Sequence, residues 1–190
     1  GDLDGGLDLA IINGAVRRRT DLLLRGDPQP LRQTSQLFRN DSGTFVDITR
    51  ESGKAWEFSA VGRGLAVGDV DNDGDLDLLI MNNGGPARLL LGRAADGRHW
   101  LGLTLVDPAG HAGVTQARVR VDQPGGTTQW RRSHSDGSYL SASDPRVLVG
   151  LGENRQPCAV TVTWPDGWTE TWEKLAVDQY HRLQQGEGRA

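Results

Sequence analysis

The chain of 190 residues has room for one large or two small domains, and its content of 36% hydrophobic and 24% charged residues is ordinary for a globular protein. Its formal net charge of −4 gives no support to nucleic-acid binding, which requires a basic surface, and no apolar run approaches the roughly 18 residues that cross a membrane. Glycine accounts for 26 residues, about twice its usual share, which favours turns and short strands and predicts an all-β protein.

The first element is an acidic loop that runs into a short apolar strand and ends at Asn13-Gly14. Its candidate metal ligands are three side chains and one backbone carbonyl, from Asp2, Asp4, Asp8 and Gly6. The same spacing recurs in a second loop, where Asp71 takes the place of Asp2, so coincidence is an unsatisfactory explanation. A ligand equivalent to Asp69 would precede the first residue of the sequence. We therefore expect the natural polypeptide to continue upstream, and whether this incomplete loop binds a metal is left open.

A polar turn that ends in Gly43 separates two β-prone runs within residues 36–49, which is the pattern of a β-hairpin. Residues 15–34, rich in Arg, Leu and Pro, are interpreted as an insertion in which Arg17-Arg18-Arg19 is a solvated loop. A further strand at residues 64–68 leads directly into the second acidic loop. The same order recurs along this half of the chain: a strand, an acidic loop, a second strand and an outer hairpin strand. This repeat is typical of propeller blades and predicts a partial β-propeller.

The second acidic loop places carboxylates at every second residue around a turn at Gly74. Such charges repel one another unless a cation lies between them, and oxygen ligands without His or Cys favour a hard cation, which indicates calcium. The predicted side-chain ligands are Asp69, Asp71, Asp73 and Asp77. The backbone carbonyl of Asp75 is predicted as a fifth ligand. An EF-hand is excluded because its twelfth position would be Ile80, in an apolar strand. The alternative is a solvated acidic turn without metal.

The second half of the chain has strand-like runs without acidic loops and predicts a small antiparallel β-sandwich-like domain. The strands are expected at residues 100–106, 117–121 and 147–152, followed by a hairpin of 160–164 with 168–172. Gly167 is expected in the left-handed conformation of the hairpin turn. Cys158 is interpreted as a buried strand residue. The domains predicted are 1–92 and 97–190, with the boundary in residues 92–97.

Few other residues suggest a functional site. Ser133-His134-Ser135-Asp136 contains the residue types of a catalytic triad, but neighbours in an extended strand point to opposite faces, so no catalytic residue is predicted. The four histidines have no metal-binding spacing. Trp130, Trp168 and Trp172 present two alternatives, an aromatic platform for a sugar or a protein, or the more common filling of a β core.

The first half resembles the FG-GAP repeats, also called VCBS repeats, through its Asp-x-Asp-x-Asp-Gly-x-x-Asp loop and the hairpin that contains Leu37-Phe38-Arg39-Asn40 and Gly43-Thr44-Phe45. Residues 99–186 resemble the ASPIC/UnbV domain through motifs such as Ser138-Tyr139-Leu140-Ser141 and Trp164-Pro165-Asp166-Gly167. Both halves occur in this order in cartilage acidic protein-like proteins. Residues 113–117 depart from the family pattern, so the loop before the strand at 117–121 is expected to be altered.

The resemblance implies that the aspartates are ligands of Ca²⁺. Because a site closed by four or five protein oxygens leaves little room for chemistry, we expect the ion to stabilise the propeller loops and not to act on a substrate. The expected protein is a non-enzymatic, extracellular or periplasmic scaffold or adhesion protein whose partner is a protein or glycan, with no nucleic acid. The alternative function is an accessory protein or enzyme of a secondary-metabolite pathway, because similar domains resemble products of enediyne gene clusters.

Overall fold

The computed structural model describes residues 2–17, 20–26, 30–93 and 97–190. Most of the regular structure in these residues is β-strand, which confirms the predicted class. The helices are α1 (Thr20–Leu24) and a 3₁₀ helix (Lys54–Glu57), and none in the described part of the chain has the length and apolarity of a membrane span. The strands are β1 (Leu9–Ile11), β2 (Gln33–Thr34), β3 (Gln36–Asp41), β4 (Thr44–Asp47), β5 (Ser59–Ala60), β6 (Gly62–Gly68), β7 (Asp77–Asn82), β8 (Arg88–Leu90), β9 (His99–Val106), β10 (Arg118–Asp122), β11 (Thr128–Arg132), β12 (Val147–Gly152), β13 (Cys158–Thr163), β14 (Thr169–Leu175) and β15 (Tyr180–Gln184).

The first half forms two three-stranded antiparallel sheets and a short β2–β5 pair. Blade 1 is the sheet β1–β3–β4, and blade 2 is the sheet β6–β7–β8. The predicted hairpin is confirmed: β3 and β4 are joined by Ser42 and Gly43, which both have positive φ, at 53° and 93°. Consecutive left-handed residues give the turn a twist that matches the flanking strands. Strand β8, which completes blade 2, had no counterpart in the sequence-based prediction.

The second half is a sandwich of two sheets, β11–β10–β13–β14 and β12–β9–β15. Alternate residues of β10 and β13 point inward, as the alternation of apolar and polar residues in β10, and in β13 from Val160 onward, predicts. They meet the inward residues of β9 and β12 in a core that includes Leu101, Leu103, Val149, Val160 and Val162. The sandwich is not wholly antiparallel, because β15 pairs with β9 in parallel. Strand β15 was not predicted, and for β11 the prediction was only that Trp130 lies in a strand.

Two local predictions for this domain are confirmed. Cys158 is 1% exposed within the core, at the start of β13. Gly167 has a φ of 90° in the turn between β13 and β14, where its backbone N–H donates to the carbonyl of Trp164. A glycine suits this turn because other residues resist positive φ.

The two halves are in contact along the open edge of blade 2. The segment 141–144, between β11 and β12, runs beside β6, and the hydroxyls of Ser141 and Ser143 accept hydrogen bonds from the backbone N–H groups of Leu65 and Val67. The N–H of Asp144 then donates to the carbonyl of Val67, at 2.9 Å. Unpaired strand edges are sites of association, so this segment protects β6 by satisfying its donors.

Two predictions concern residues outside those described. Arg18 and Arg19 of the basic triplet are among them, and so are residues 94–96 of the predicted boundary. The division of the chain at residues 92–97 stays a prediction.

Candidate metal site

The second acidic loop connects β6 to β7 and has two buried carboxylates at its ends. Asp69 follows the last residue of β6 and Asp77 begins β7, and each is 2% exposed. Between them the chain turns through left-handed conformations at Asn72, with φ of 60°, and Gly74, with φ of 92°. Asparagine and glycine are the residues that adopt this conformation most readily. The loop therefore closes with little strain and brings its ends together.

Backbone donors fix the orientation of both buried carboxylates. Asp69 accepts hydrogen bonds from the N–H groups of Asp73, at 3.2 Å, and Gly74, at 3.0 Å. Asp77 accepts from Val70 across the loop, at 2.7 Å, and from Gly92 just beyond β8, also at 2.7 Å. Amide donors partly offset the charge of a buried carboxylate while leaving oxygen lone pairs for another partner.

Three carboxylates converge in this loop. One oxygen from each of Asp69, Asp71 and Asp77 lies within 4.8 Å of the others, which is a spacing that could hold a metal ion. The pKa of Asp71 is raised, first by desolvation and then by the negative charges of Asp73, Asp77 and Asp69. Burial and mutual repulsion thus both disfavour the ionised form of Asp71, and a nearby positive charge would relieve the repulsion. Hard divalent ions such as calcium prefer oxygen ligands of this kind.

The other two predicted ligands of this loop lie outside the three-carboxylate cluster. The Oδ1 atom of Asp73 accepts a hydrogen bond from the backbone N–H of Asp75, at 2.9 Å, and the side chain of Asp73 is exposed. Asp75 is half-buried. Coordination by Asp73 and by the carbonyl of Asp75 stays a prediction.

The first acidic loop repeats the backbone of the second. Leu3 and Gly5 have φ values of 57° and 95°, and they occupy the positions of Asn72 and Gly74. The Oδ1 atom of Asp4 accepts from the N–H of Gly6, at 2.7 Å, which reproduces the bond from Asp75 to Asp73. Asp8 is also held like Asp77, because its Oδ1 atom accepts from the N–H of Asn40 at 3.0 Å.

The carboxylates of this first loop are nevertheless not brought together as those of the second are. Asp2 accepts a 3.3 Å hydrogen bond from the N–H of Asp4. Among the described residues, the three-carboxylate cluster that could hold an ion is the one at Asp69, Asp71 and Asp77. Metal binding by Asp2, Asp4, Gly6 and Asp8 stays a prediction.

Residues of the C-terminal sandwich form one wall of the site. The indole of Trp100 lies against Gly74 so closely that a Cβ atom there would be 2.1 Å from Trp100 Cε2. Gly74 is thus required for space as well as for its backbone conformation. Tyr180 packs edge-on against Trp100, with ring centroids 5.2 Å apart, and its hydroxyl donates to Oδ2 of Asp69 at 2.8 Å. Burial, and then donation to Asp69, raises the pKa of Tyr180, so the phenol stays protonated.

Arg146 is the second link between the loop and the sandwich. Its guanidinium donates to the backbone carbonyl of Asp69, at 2.5 Å, and to Oδ1 of Asn72, at 2.6 Å. It also forms an ion pair with Asp144, at 2.6 Å, and stacks 4.3 Å from the ring centroid of Tyr180. One planar group therefore joins the acidic loop, the segment beside β6 and the last strand.

The sequence around Arg146 and around Tyr180 gives no indication that these residues contact the acidic loop. The bond from Arg146 to Asn72 spans 74 residues, and that from Tyr180 to Asp69 spans 111. Spacing within one segment identifies ligands of a tight loop, but it contains no information about a partner from another domain.

The remaining candidate sites are dispersed. Ser133 is buried, and its hydroxyl accepts from the N–H of Ala117 at 3.1 Å, whereas His134 is paired with Asp136 at the surface. Trp172 packs against the core and against Trp164, with ring centroids 6.3 Å apart. Trp168 lies in the turn one residue before β14, so of these two tryptophans only Trp172 is within the strand. Trp130 and Trp168 are exposed, at 59% and 52%.

Comparison with known families finds two matches, one in each half of the chain. Residues 2–80 match the family model described as FG-GAP-like repeat, and residues 110–190 match the model described as ASPIC and UnbV. The acidic loop lies in the first matched segment, and Arg146 and Tyr180, which contact it, lie in the second. No curated protein matches the chain at a significant level.

Proposed function

The chain joins FG-GAP-like repeats to an ASPIC and UnbV domain, as in the cartilage acidic protein-like proteins, and from this premise we propose that it is a calcium-binding scaffold or adhesion protein. Families of these two kinds are of the extracellular type and generally non-catalytic. An extracellular or periplasmic location suits a site of modest affinity, about 10⁻⁴ to 10⁻³ M, because calcium is abundant there. The observation that carries the proposal is the convergence of Asp69, Asp71 and Asp77.

A structural role for the ion follows from where its ligands lie. Asp69 and Asp77 are at the ends of neighbouring strands, so an ion between them would tie β6 to β7. The same Asp69 is bonded to Tyr180 and, through its carbonyl, to Arg146. Neutralising the loop would therefore stabilise both the blade and its junction with the sandwich. Catalysis by the ion is disfavoured, since coordination by the four or five predicted protein oxygens would leave little space for a substrate.

The partner is proposed to be a protein or a glycan that binds the exposed surface of the sandwich. Trp130 projects from β11 and lies directly opposite Arg120 of β10 in the sheet. The exposed indole offers a stacking surface for a sugar ring, and the Arg120 guanidinium, whose Nε is paired with Asp122, has further donors on the neighbouring strand. Retention on immobilised neutral and anionic polysaccharides tests this, with loss expected for Trp130→Ala and not for Trp168→Ala. Equal retention of both variants and the wild type would contradict a role for Trp130.

Calorimetric titration combined with thermal melts tests the metal site. Calcium should bind the Asp69, Asp71 and Asp77 cluster with modest affinity, and at about 10 mM it should stabilise the protein by roughly 1.4 to 2.7 kcal/mol, for dissociation constants of about 10⁻³ to 10⁻⁴ M. The midpoint should rise by about 3 to 10 °C. Magnesium should act less, because it demands a smaller and more rigid octahedral site.

A pair of matched variants makes this test specific. Asp71→Asn alters the cluster, whereas Asp2→Asn alters the equivalent position of the first loop. Asp71→Asn should abolish most of the calcium response and Asp2→Asn should preserve it. An equal response in the wild type and in Asp71→Asn would refute calcium binding at this loop.

A further inference from the structure

The four-stranded sheet of the sandwich has an outward face with a group of arginines. Arg118 and Arg120 of β10 point outward, because they alternate with valines that are fully buried in the core. In the edge strand β11, Trp130 lies directly opposite Arg120. Two residues along, Arg132 lies opposite Arg118. Cross-strand partners share a side of the sheet, so these four side chains form one surface, which we name the cationic patch.

The patch contains a like-charge pair that the protein compensates only in part. Arg118 and Arg132 are directly opposite each other, and like charges in such positions destabilise a sheet. Arg132 donates to Oδ1 of Asp136 at 2.8 Å, a carboxylate that it shares with His134. Arg118 is exposed and has no hydrogen-bond or ion-pair partner in the described part of the chain. A local rule broken without compensation is typical of a functional site.

Most guanidinium donors of the patch are available to a ligand. A guanidinium has five N–H donors, and within the described residues Arg120 and Arg132 use one each, toward Asp122 and Asp136 at 2.8 Å. Both ion pairs lie at the surface, where solvent and salt weaken them. An anion with two oxygens in reach accepts two parallel N–H bonds from one guanidinium, which is stronger and more specific than a single bond. An acidic ligand therefore has donors in hand before any existing pair is broken.

Strand β11 is held firmly although it is an edge strand. Its residues on the side opposite the patch bind backbone carbonyls of neighbouring segments: Arg131 donates to Gly5 at 2.8 Å, and Gln129 donates to Gly150 at 2.9 Å. These bonds fix the strand between the first acidic loop and β12. The indole and the guanidinium that β11 contributes are thus presented on a backbone that is already ordered, which lowers the entropic cost of binding.

The spacing of the patch suits a sugar ring that has charged neighbours. Adjacent strands are roughly 4.8 Å apart, and residues i and i+2 of one strand are roughly 6.7 Å apart. A ring stacked on Trp130 therefore has guanidinium groups one strand away and two residues away, within reach of its acidic substituents. On the other side of β10, the residues opposite Arg118 and Arg120 are Thr163 and Thr161, which contribute no competing carboxylate.

We propose that the cationic patch binds an acidic polysaccharide, with its carboxylate or sulfate groups on Arg118 and Arg132 and one sugar ring on Trp130. The inference rests on the proposed function, in which a protein or a glycan is the partner, and it specifies the chemical class of the glycan and its site. A nucleic acid is a less suitable polyanion, because it has a phosphate at every unit and the chain has a formal net charge of −4.

Biolayer interferometry of the full chain at constant calcium concentration tests the ligand class. The immobilised probes are hyaluronate for carboxylates, dextran sulfate for sulfates, neutral dextran, and oligothymidylate as a nucleic acid. At least one acidic polysaccharide should bind about tenfold more tightly than dextran and oligothymidylate, and its affinity should fall as salt is added. The acidic probe that binds better identifies the charged group that is recognised.

Matched arginine variants locate the site. Arg118→Thr and Arg132→Thr should each weaken binding to the acidic polysaccharide by about tenfold, the effect of losing a charge-assisted hydrogen bond. Arg50→Thr removes the same charge from an exposed residue of the other half and should change binding by less than about twofold. Arg118→Thr should also raise the melting midpoint by about 1 to 4 °C, because it relieves the like-charge pair. Weaker binding by a more stable variant cannot be attributed to unfolding.

The outcomes separate this inference from the proposed function. Binding that is lost in Trp130→Ala but unchanged in Arg118→Thr and Arg132→Thr would overturn the inference and leave a glycan without acidic groups as the partner. Oligothymidylate bound as tightly as the acidic polysaccharides would overturn the assignment of the class. If no polysaccharide binds, the glycan partner of the proposed function is refuted together with this inference, whereas the calcium site is tested independently.

Discussion

The hydroxyl of Tyr180 donates a 2.8 Å hydrogen bond to Oδ2 of Asp69, so the last strand of the sandwich is tied to the first carboxylate of the acidic loop. The ring that bears this hydroxyl is fixed independently, by the edge of Trp100 and by Gly102, where a Cβ atom would lie 2.4 Å from the ring. The bond therefore has a defined direction before any metal binds. The candidate metal site is therefore built from both halves of the chain.

The first prediction concerns this hydroxyl. Tyr180→Phe retains the packed ring and removes the donor to Asp69, so it should cost about 1.5 kcal/mol, at the low end for a hydrogen bond to a charged group. The melting midpoint should fall by about 3 to 6 °C, and calcium affinity should fall because Asp69 is less well oriented. Thermal melts and calorimetric titration measure both. Tyr139→Phe, at a residue 75% exposed, is the control and should change neither. A Tyr180→Phe protein as stable as this control would contradict the assigned bond.

The second prediction is that Asp71→Asn has opposite effects with and without calcium. In the metal-free protein the ionised Asp71 carboxylate is repelled by its neighbours, so the variant should melt at a higher temperature than the wild type at neutral pH. In excess calcium the order should reverse, because the variant lacks a charged ligand. Melting with chelator and then with calcium checks the crossing. A variant that is less stable under both conditions would indicate a merely structural role for Asp71.

The pH dependence of the same comparison follows from the direction of the Asp71 pKa. The folded-state pKa is raised above the ordinary value of 3.8, so the folded protein binds this proton more tightly than the unfolded chain. The penalty from ionised Asp71 is present above the folded-state pKa and is relieved as pH falls towards 3.8. The metal-free difference between Asp71→Asn and the wild type should therefore shrink on acidification. A difference independent of pH would rule out charge repulsion as its cause.

Sequence patterns predict what is local in this protein. The spacing of the aspartates and Gly74 predicts the loop, and alternation predicts the bounds of β10 to within one residue and those of β13 to within two. Strand β8 was missed because Arg88–Leu90 is too short to show a period and becomes a strand only by pairing with β7. The role of Ser141 and Ser143 was missed for a related reason: their side chains satisfy an edge that belongs to the other half of the chain. Tertiary partners, not local propensity, decide these elements.

The third prediction is that Arg146 couples the unfolding of the two halves. Its guanidinium binds the carbonyl of Asp69, the side chain of Asn72 and the carboxylate of Asp144. Arg146→Ala should cost about 2 to 4 kcal/mol, because charge-assisted hydrogen bonds are lost and Asp144 is left unpaired. Calorimetric melting should change from one cooperative transition to two, with calcium raising only one of them.

The matched variant for this position is Arg146→Lys, which keeps the charge but lacks the planar fork that binds three acceptors together. Like Arg146→Ala, it should unfold in two calorimetric transitions, although it retains part of the ion pair with Asp144. Two transitions already present in the wild type would show that the junction does not couple the halves.

The fourth prediction concerns the thiol of Cys158, which is 1% exposed in the sandwich core. Burial raises its pKa, and the side chain of Asn154 offers a single contact at 3.5 Å, so the reactive thiolate is disfavoured in the folded protein. A thiol reagent should label the native chain only when the chain opens, and should label it rapidly in denaturant.

When opening is fast and reversible, the labelling rate follows the population of the open state. Calcium should then slow the labelling of Cys158 by the factor by which it stabilises the protein, and Asp71→Asn should abolish that slowing. Rapid labelling of the native protein would contradict the buried placement of the thiol, whereas slow labelling unaffected by calcium would show that the sandwich opens without the acidic loop.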